Sequence, residues 1–203
     1  MSELDINPRA KALIFDLDGT IIDSMPIHFI AWRNATAPYG IDFTVELFDQ
    51  LAGIPLYPTV LKLNAMFGTD MDPKTLGDAK EGEYEANMHK ATAIEPVVNL
   101  IKKYYGKMPM AVGTGSERRL ALKALASIGL KDYFQIIIGS DNVEKHKPHP
   151  DTFLKAAEMM GVEPQFCHVF EDGILGIQAA QTGGMMVTDV RDYYKVSIGK
   201  KVY

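Results

Sequence analysis

The chain has 203 residues, of which 47% are hydrophobic and 23% are charged, and its formal net charge is −5. This composition is typical of a globular protein with a sizeable core. A mildly acidic net charge gives no electrostatic reason to expect nucleic acid or an anionic membrane as a partner, so neither is expected. Cys167 is the single cysteine, which excludes a disulfide within the chain. It lies in the apolar run Phe166–Phe170, which predicts a small core residue.

The N-terminal segment, residues 1–10, is polar, and no apolar run reaches the roughly 18–20 residues that span a bilayer. We therefore expect no signal peptide and no transmembrane helix. The expected location is the cytoplasm, and the expected oligomeric state is a monomer.

Five short apolar runs predict buried strands, because each is only a few residues long and ends at polar or turn residues. They are Ala12–Phe15, Met108–Gly113, Gln135–Gly139, Cys167–Phe170 and Met185–Val187. Helical apolar spacing lies between them, at Glu117–Ile128, Thr152–Met160 and Ile174–Thr182. Buried strands that alternate with helices predict an α/β fold, with a mostly parallel, Rossmann-like sheet.

The segment from residue 24 to residue 91 lacks a buried strand and has helical patterning throughout. The predicted helices are His28–Ala37, Val45–Leu51, Thr59–Phe67 and Thr75–His89. A segment of this length is too long for one crossover connection. It therefore predicts a helical cap domain inserted into a discontinuous catalytic core of residues 1–23 and 92–203.

Polar residues follow four of the five apolar runs. They are Asp16 and Asp18, Thr114 and Ser116, Lys145 and Lys147, and Glu171 and Asp172. In an open parallel sheet, ligands bind beyond the carboxyl ends of the strands. The sequence therefore predicts one functional site at that edge of the sheet.

The acidic residues of this edge predict a magnesium site. Asp16 and Asp18 are two positions apart at the end of a strand, which directs both carboxylates to one side. With Glu171 and Asp172 they form a cluster that would repel itself without a cation. Oxygen-only ligands suit Mg²⁺, which accepts one or two carboxylates together with a phosphate oxygen.

Two further features of this edge favour an anionic ligand. Thr114, Gly115 and Ser116 precede a helix that begins near Glu117, so backbone amides and a hydroxyl could hold phosphate oxygens, while Ser116 is expected to cap the helix. Lys147 could pair with both an attacking carboxylate and a phosphoryl group. Lys145 competes for that role, and the prolines on either side of position 149 favour Lys147.

These motifs resemble those of the haloacid dehalogenase superfamily of phosphotransferases. The matching segments are Phe15–Thr20, Val112–Ser116, Lys147–Asp151 and Phe170–Asp172, and they span nearly the whole chain in order. The resemblance implies a nucleophilic Asp16, an acid/base Asp18, and Mg²⁺ held by Asp16, Asp172 and the Asp18 carbonyl, with Glu171 assisting through the ion or its waters. It also implies that Thr114, Gly115, Ser116 and Lys147 hold the phosphate.

Within that superfamily, the chain is most similar to the β-phosphoglucomutase-like subfamily, whose members carry a small helical cap. The implied reaction is hydrolysis of a small phosphorylated sugar, of the fructose-1-phosphate or 6-phosphogluconate type, through an aspartyl phosphate. The alternative is a mutase. The mutase carries a cap arginine at the position of Leu56, so its absence here weakens that alternative. His28 and Lys80 are the candidate substrate contacts on the cap.

A non-catalytic binding module that retains the fold is the alternative from a different class. Such a protein would be expected to lack the nucleophile or a metal carboxylate. Asp16, Asp18, Lys147 and Asp172 are all present, which favours an enzyme.

Overall fold

The computed structural model describes residues 4–195, 197–198 and 201–202, and these form two compact units. The first, the core unit, comprises residues 4–23 and 92–195. The second, the helical unit, comprises Ser24–Ala91 together with residues 197–198 and 201–202. The sequence predicts the segment after residue 195 as part of the core, whereas its described residues belong to the helical unit.

The strands, numbered in chain order, are short. They are β1 (Ala12–Phe15), β2 (Ile22–Asp23), β3 (Thr92–Ala93), β4 (Met110–Gly113), β5 (Ile136–Ile138), β6 (Cys167–Glu171), β7 (Met186–Asp189), β8 (Ser197–Ile198) and β9 (Lys201–Val202). Five of them form the central sheet in the order β5-β4-β1-β6-β7, and every neighbouring pair is parallel. These five correspond to the five predicted strands.

Each unit has its own helices. Those of the helical unit are α1 (Met25–Thr36), α2 (Val45–Leu51), α3 (Leu56–Phe67) and α4 (Pro73–Asn87), and those of the core unit are α5 (Glu95–Tyr104), α6 (Arg118–Ser127), α7 (Asp151–Met160) and α8 (Ile174–Thr182). Helix α5 is not among the predicted helices. Nowhere in the described residues is a helix long and apolar enough to cross a membrane.

The core unit is organised around strands that are buried on both faces. Every residue of β1 and of β4 is buried, as expected for a parallel sheet covered by helices on both sides. Phe153 of α7 packs into the same cluster as Ile14 of β1 and Val169 of β6, and all three are fully buried. The predicted α/β fold class, with a Rossmann-like parallel sheet and an inserted helical cap domain, is confirmed.

The helical unit has a separate apolar core. Trp32 and Phe43 stack with their ring centroids 6.0 Å apart, and Leu63 of α3 is fully buried in the same cluster.

Local signals set the helix ends. The Thr44 hydroxyl accepts a hydrogen bond from Leu47 N–H at the start of α2, as a Thr at the N-cap position usually does.

The carboxyl ends of β1, β4, β5 and β6 are in register. Asp16 N–H donates to the Phe170 carbonyl at 3.0 Å, and Thr114 N–H donates to the Ile138 carbonyl at 2.9 Å. These hydrogen bonds continue the ladders past the last residues of β1 and β4. They fix the backbone of the first residue after each strand, so Asp16 and Thr114 have backbone positions that are held by the neighbouring strand.

Candidate active site

Asp16 and Lys147 form a buried ion pair at the carboxyl edge of the sheet. Lys147 Nζ lies 2.7 Å from Asp16 Oδ1 and 2.7 Å from Glu171 Oε1, and the three side chains are 11%, 9% and 4% exposed. Burial lowers the pKa of Lys147, but the attraction of Asp16 and Glu171 outweighs it and the pKa is raised overall. Lys147 is therefore a permanent cation at this edge. Lys145, its competitor in the sequence, is exposed.

Three carboxylates meet beside that single ammonium. Asp16, Glu171 and Asp172 each offer an oxygen, and these oxygens lie within 4.8 Å of one another. Burial raises the pKa of Asp16 well above its usual value, although Lys147 opposes the shift. Burial, followed by repulsion from Glu171, raises the pKa of Asp172 to about 7. The three carboxylates outnumber the cation, so this cluster has the charge and the hard oxygen donors that a divalent ion requires.

The loop after β1 is shaped around Asp172. Thr20 Oγ1 donates a hydrogen bond of 2.8 Å to Asp172 Oδ1 and is itself fully buried. Gly19 has φ +86°, and a Cβ at this position would overlap the Asp172 carboxylate. Glycine is therefore required at position 19 both for its backbone conformation and for space. The resemblance did not identify Thr20 as a functional residue, although Thr20 closes the first motif.

Glu171 uses its carboxylate differently from Asp172. One oxygen pairs with Lys147, and the other accepts a hydrogen bond from Gly173 N–H. Glu171 was predicted to assist a metal through the ion or its waters. In the structure it lies in the oxygen cluster and also holds the Lys147 ammonium beside Asp16.

Among the described residues, the group of carboxylate oxygens that lie within 4.8 Å of one another does not include Asp18. Its side chain is half-buried, and its Oδ2 accepts a hydrogen bond of 2.7 Å from Ser116 Oγ. The prediction that the Asp18 main-chain carbonyl ligates a metal stays a prediction.

The loop after β4 brings Thr114 and Ser116 to the same edge. Thr114 is 1% exposed, and its Oγ1 accepts a hydrogen bond of 3.0 Å from Ser116 N–H. Gly115 is exposed, with open space where a Cβ would be. The expectation that Ser116 caps the helix is wrong, because α6 begins at Arg118 with Glu117 in the cap position, and the Ser116 hydroxyl donates to Asp18 instead.

His28 and Lys80, the predicted cap contacts, lie in the helical unit. The His28 ring stacks on Tyr84 with centroids 4.0 Å apart and planes 5° apart. Lys80 is 8% exposed, and its Nζ lies 5.7 Å from the Trp32 ring centroid and 5.4 Å from that of Tyr84. Both side chains belong to an aromatic cluster, and their contact with a substrate stays a prediction.

Charged residues also lie at the end of β7, an edge strand of the central sheet. Asp189 is paired in register with Glu171, and Arg191 binds the Asp189 carboxylate through Nε at 2.9 Å and Nη2 at 2.5 Å. Neither residue was predicted as part of the site. The signal was present in the sequence, since Asp189 lies two positions after the apolar run Met185–Val187, although Thr188 separates the two.

Comparison with known proteins gives consistent results. The family model described as haloacid dehalogenase-like hydrolase matches residues 13–190. The chain is 41% identical over 183 residues to fructose-1-phosphate phosphatase YqaB of Escherichia coli, covering 90% of this chain and 97% of that protein. It is 30% identical over 187 residues to β-phosphoglucomutase of Bacillus subtilis, covering 89% of this chain and 83% of that protein.

A solved structure agrees in fold. The crystal structure of β-phosphoglucomutase from Clostridium difficile superposes with a TM-score of 0.78 at 24% identity, covering 88% of this chain and 83% of that one.

Proposed function

Since the chain belongs to the haloacid dehalogenase-like hydrolase family and is a phosphoric monoester hydrolase, we propose that it hydrolyses a small phosphorylated sugar through an aspartyl phosphate on Asp16, with Mg²⁺ as cofactor.

The observation that carries this proposal is the environment of Asp16. Its side chain is 9% exposed, Lys147 Nζ lies 2.7 Å from Oδ1, and an Asp172 oxygen lies within 4.8 Å. A buried carboxylate held beside a cation is a pre-oriented nucleophile, and water is largely excluded from it. A purely structural ion pair would not require the excess of negative charge that Glu171 and Asp172 add.

The residues that would hold Mg²⁺ are Asp16 and Asp172, with Glu171 beside them. When bound, the ion supplies positive charge that shields the attacking carboxylate from the phosphate and stabilises the phosphoryl oxygens.

The side chains of this edge account for the covalent steps. Asp16 attacks phosphorus in line, the bond from phosphorus to the sugar oxygen breaks, and Asp18 gives that oxygen a proton. Water then attacks the aspartyl phosphate, Asp18 takes a proton from the water, and inorganic phosphate leaves with Asp16 regenerated. Lys147, Thr114 and the backbone amides after β4 hold the phosphoryl oxygens, which is most of the work in a loose transition state.

The substrate class rests on the relatives. The 41% identical protein of E. coli is named as a fructose-1-phosphate phosphatase and aligns along 97% of its length, so we propose fructose 1-phosphate or a similar sugar phosphate, such as 6-phosphogluconate, as substrate. The mutase alternative is weaker because Leu56, at the start of α3, is apolar where the mutase carries its arginine.

The test is release of inorganic phosphate by purified protein with Mg²⁺ from fructose 1-phosphate, 6-phosphogluconate, fructose 6-phosphate and β-glucose 1-phosphate. We expect the highest kcat/KM for fructose 1-phosphate or 6-phosphogluconate, and no turnover by Asp16→Asn. The absence of Asp16-dependent release from every ester would contradict the proposal. Glucose 6-phosphate formed without free phosphate, when β-glucose 1-phosphate is supplied with a trace of the 1,6-bisphosphate, would establish the mutase instead.

A further inference from the structure

The contact between Ser116 and Asp18 joins two loops that are 98 residues apart in the chain. Ser116 follows β4, and Asp18 follows β1, the neighbouring strand in the sheet. The distance from Ser116 Oγ to Asp18 Oδ2 is 2.7 Å, which is that of a strong hydroxyl–carboxylate hydrogen bond. This serine does not cap the helix that follows it, so its hydroxyl is committed to the aspartate.

The backbone of Ser116 is anchored on both sides of that hydroxyl. Its N–H donates to Thr114 Oγ1 at 3.0 Å, and its carbonyl accepts from Ser140 N–H at 3.0 Å. The Arg118 N–H, two residues further on, donates to Asp141 Oδ1 at 2.7 Å. The loop after β5 therefore fixes the loop that carries Ser116.

Space is also restricted at this junction. A Cβ at Gly139 would overlap the Arg118 backbone nitrogen, so the loop after β5 and the start of α6 are in close contact. The Ser116 hydroxyl thus extends from a fixed backbone toward a half-buried carboxyl group whose own loop must turn at Gly19. The backbone of Ser116 is therefore held by the loop after β5.

We propose that Ser116 is the positioning residue of the general acid, so that its effect on catalysis passes through Asp18. The inference rests on the proposed role of Asp18 as the proton donor to the leaving group. A hydrogen bond donated to Oδ2 fixes the rotation of the carboxyl group and assigns the transferable proton to Oδ1. That proton moves to the leaving oxygen as the bond from phosphorus breaks, and the Asp18 carboxylate that results keeps the Ser116 hydrogen bond, which is stronger to the charged form.

This role differs from the one that the sequence predicts for Ser116. A serine that only held phosphate oxygens would lower the rate with every phosphate ester to the same extent. A serine that acts through the proton donor matters most where the leaving oxygen is a strong base. Phenyl phosphate has such a leaving group, whereas 4-nitrophenyl phosphate has a much weaker base and departs with little help from an acid.

The experiment is a double-mutant cycle of Ser116→Ala and Asp18→Asn, read as kcat/KM for both aryl esters. This parameter covers the steps up to departure of the leaving group and leaves out hydrolysis of the aspartyl phosphate. We expect Ser116→Ala to lower kcat/KM on the order of 10-fold for phenyl phosphate, and about 2-fold or less for 4-nitrophenyl phosphate. In the Asp18→Asn background, Ser116→Ala should have no further effect.

Two further variants complete the design. Ser116→Thr keeps the hydroxyl and should restore most of the phenyl phosphate activity. Ser127→Ala removes a hydroxyl that donates to the Ala124 carbonyl within α6, and it should match wild type with both esters. The ratio of the two kcat/KM values within one variant does not depend on the fraction of folded protein, so partial misfolding cannot imitate the expected result.

Three outcomes would overturn the inference. An equal loss with both esters that adds to Asp18→Asn would assign Ser116 to direct phosphate binding. Wild-type kcat/KM for Ser116→Ala with both esters would make the contact merely structural. A selective loss with phenyl phosphate that persists in Asp18→Asn would exclude action through Asp18. The proposed function fails separately, if wild type and Asp16→Asn release phosphate from 4-nitrophenyl phosphate at the same rate.

Discussion

Lys147 Nζ lies 2.7 Å from Glu171 Oε1, in a pair whose side chains are 11% and 4% exposed. The same ammonium lies 2.7 Å from the proposed nucleophile, Asp16. Glu171 therefore fixes the position of the cation that would meet both the nucleophile and the phosphate. Helix α8 leaves room for that carboxylate only because residue 176 has no side chain, since a Cβ there would overlap Glu171 Oε1.

Gly176→Ala should reduce activity by displacing Glu171 from Lys147. We expect kcat with 4-nitrophenyl phosphate to fall about 10-fold or more, because a displacement of about 1 Å in a positioning group can lower the reaction rate by a large factor. The matched control is Gly82→Ala in α4, where a Cβ meets open space. That control should stabilise the protein by about 0.5–1 kcal/mol and leave kcat unchanged. Wild-type kcat in Gly176→Ala would disprove the requirement for Glu171 in this position.

Asp172→Asn should raise the melting temperature of the metal-free protein while abolishing its response to Mg²⁺. The Asp172 carboxylate is destabilised by burial and by Glu171, which raise its pKa to about 7, so a neutral amide relieves repulsion. Wild type should gain melting temperature as Mg²⁺ is added, because an ion bound only to the folded state stabilises it.

Differential scanning fluorimetry in EDTA and across a Mg²⁺ titration measures both effects of Asp172→Asn. Asp78→Asn removes an exposed carboxylate that pairs with Lys74 on α4, and it should respond to Mg²⁺ as wild type does. An undiminished Mg²⁺ shift in Asp172→Asn would place the ion elsewhere.

His168 should make folding stability depend on pH. Burial lowers the pKa of His168 from 6.5 to about 4. Asn7 N–H donates to Nδ1 at 3.1 Å, so the neutral ring carries its proton on Nε2, which lies 2.8 Å from Thr188 Oγ1. As pH falls from 6.5 toward 4, the unfolded chain binds a proton that the folded protein does not, so stability is lost across that window.

The expected loss from this one group is up to about 3 kcal/mol at the acidic end. His168→Gln cannot titrate there. Urea unfolding at pH 7.5, 6 and 5 should therefore show the stability difference between wild type and His168→Gln shrinking as the pH falls. A difference that stays constant with pH would mean that the folded ring protonates as readily as the unfolded one.

Lys80→Met tests the predicted cap contact to a distal acidic group. The variant keeps an unbranched side chain among the rings of Trp32 and Tyr84 but removes the cation near them. We expect KM to rise for 6-phosphogluconate, which carries a carboxylate, with little change for fructose 1-phosphate. Lys74→Met, which alters an exposed lysine of the same helix, is the control. A fall in melting temperature with unchanged KM for both substrates would assign Lys80 to packing alone.

The sequence determines where the strands of the core unit end. Continuous apolar runs specify a sheet covered on both faces, and parallel strands bring their carboxyl ends to one edge. The sequence alone therefore predicts that Asp16, Thr114 and Asp172 lie together, since each follows such a run. Helix α5 was not predicted, because its segment carries none of the site motifs. Its helical spacing is nevertheless present in the sequence, since its buried face consists of Val97, Val98, Leu100 and Ile101.

Only the tertiary structure decides which hydrogen-bond and ion-pair partners the side chains of the site have. Thr20 Oγ1 donates to Asp172, which is 152 positions away, and Lys147 pairs with both Asp16 and Glu171. The Ser116 hydroxyl donates to Asp18 and does not cap α6. Local sequence offers each of these groups several nearby donors or acceptors, and loops from other strands decide among them. The strand pattern follows from burial, and the polarity of each residue indicates whether it is buried. A hydrogen-bond partner depends instead on where a distant segment of the chain lies in the fold.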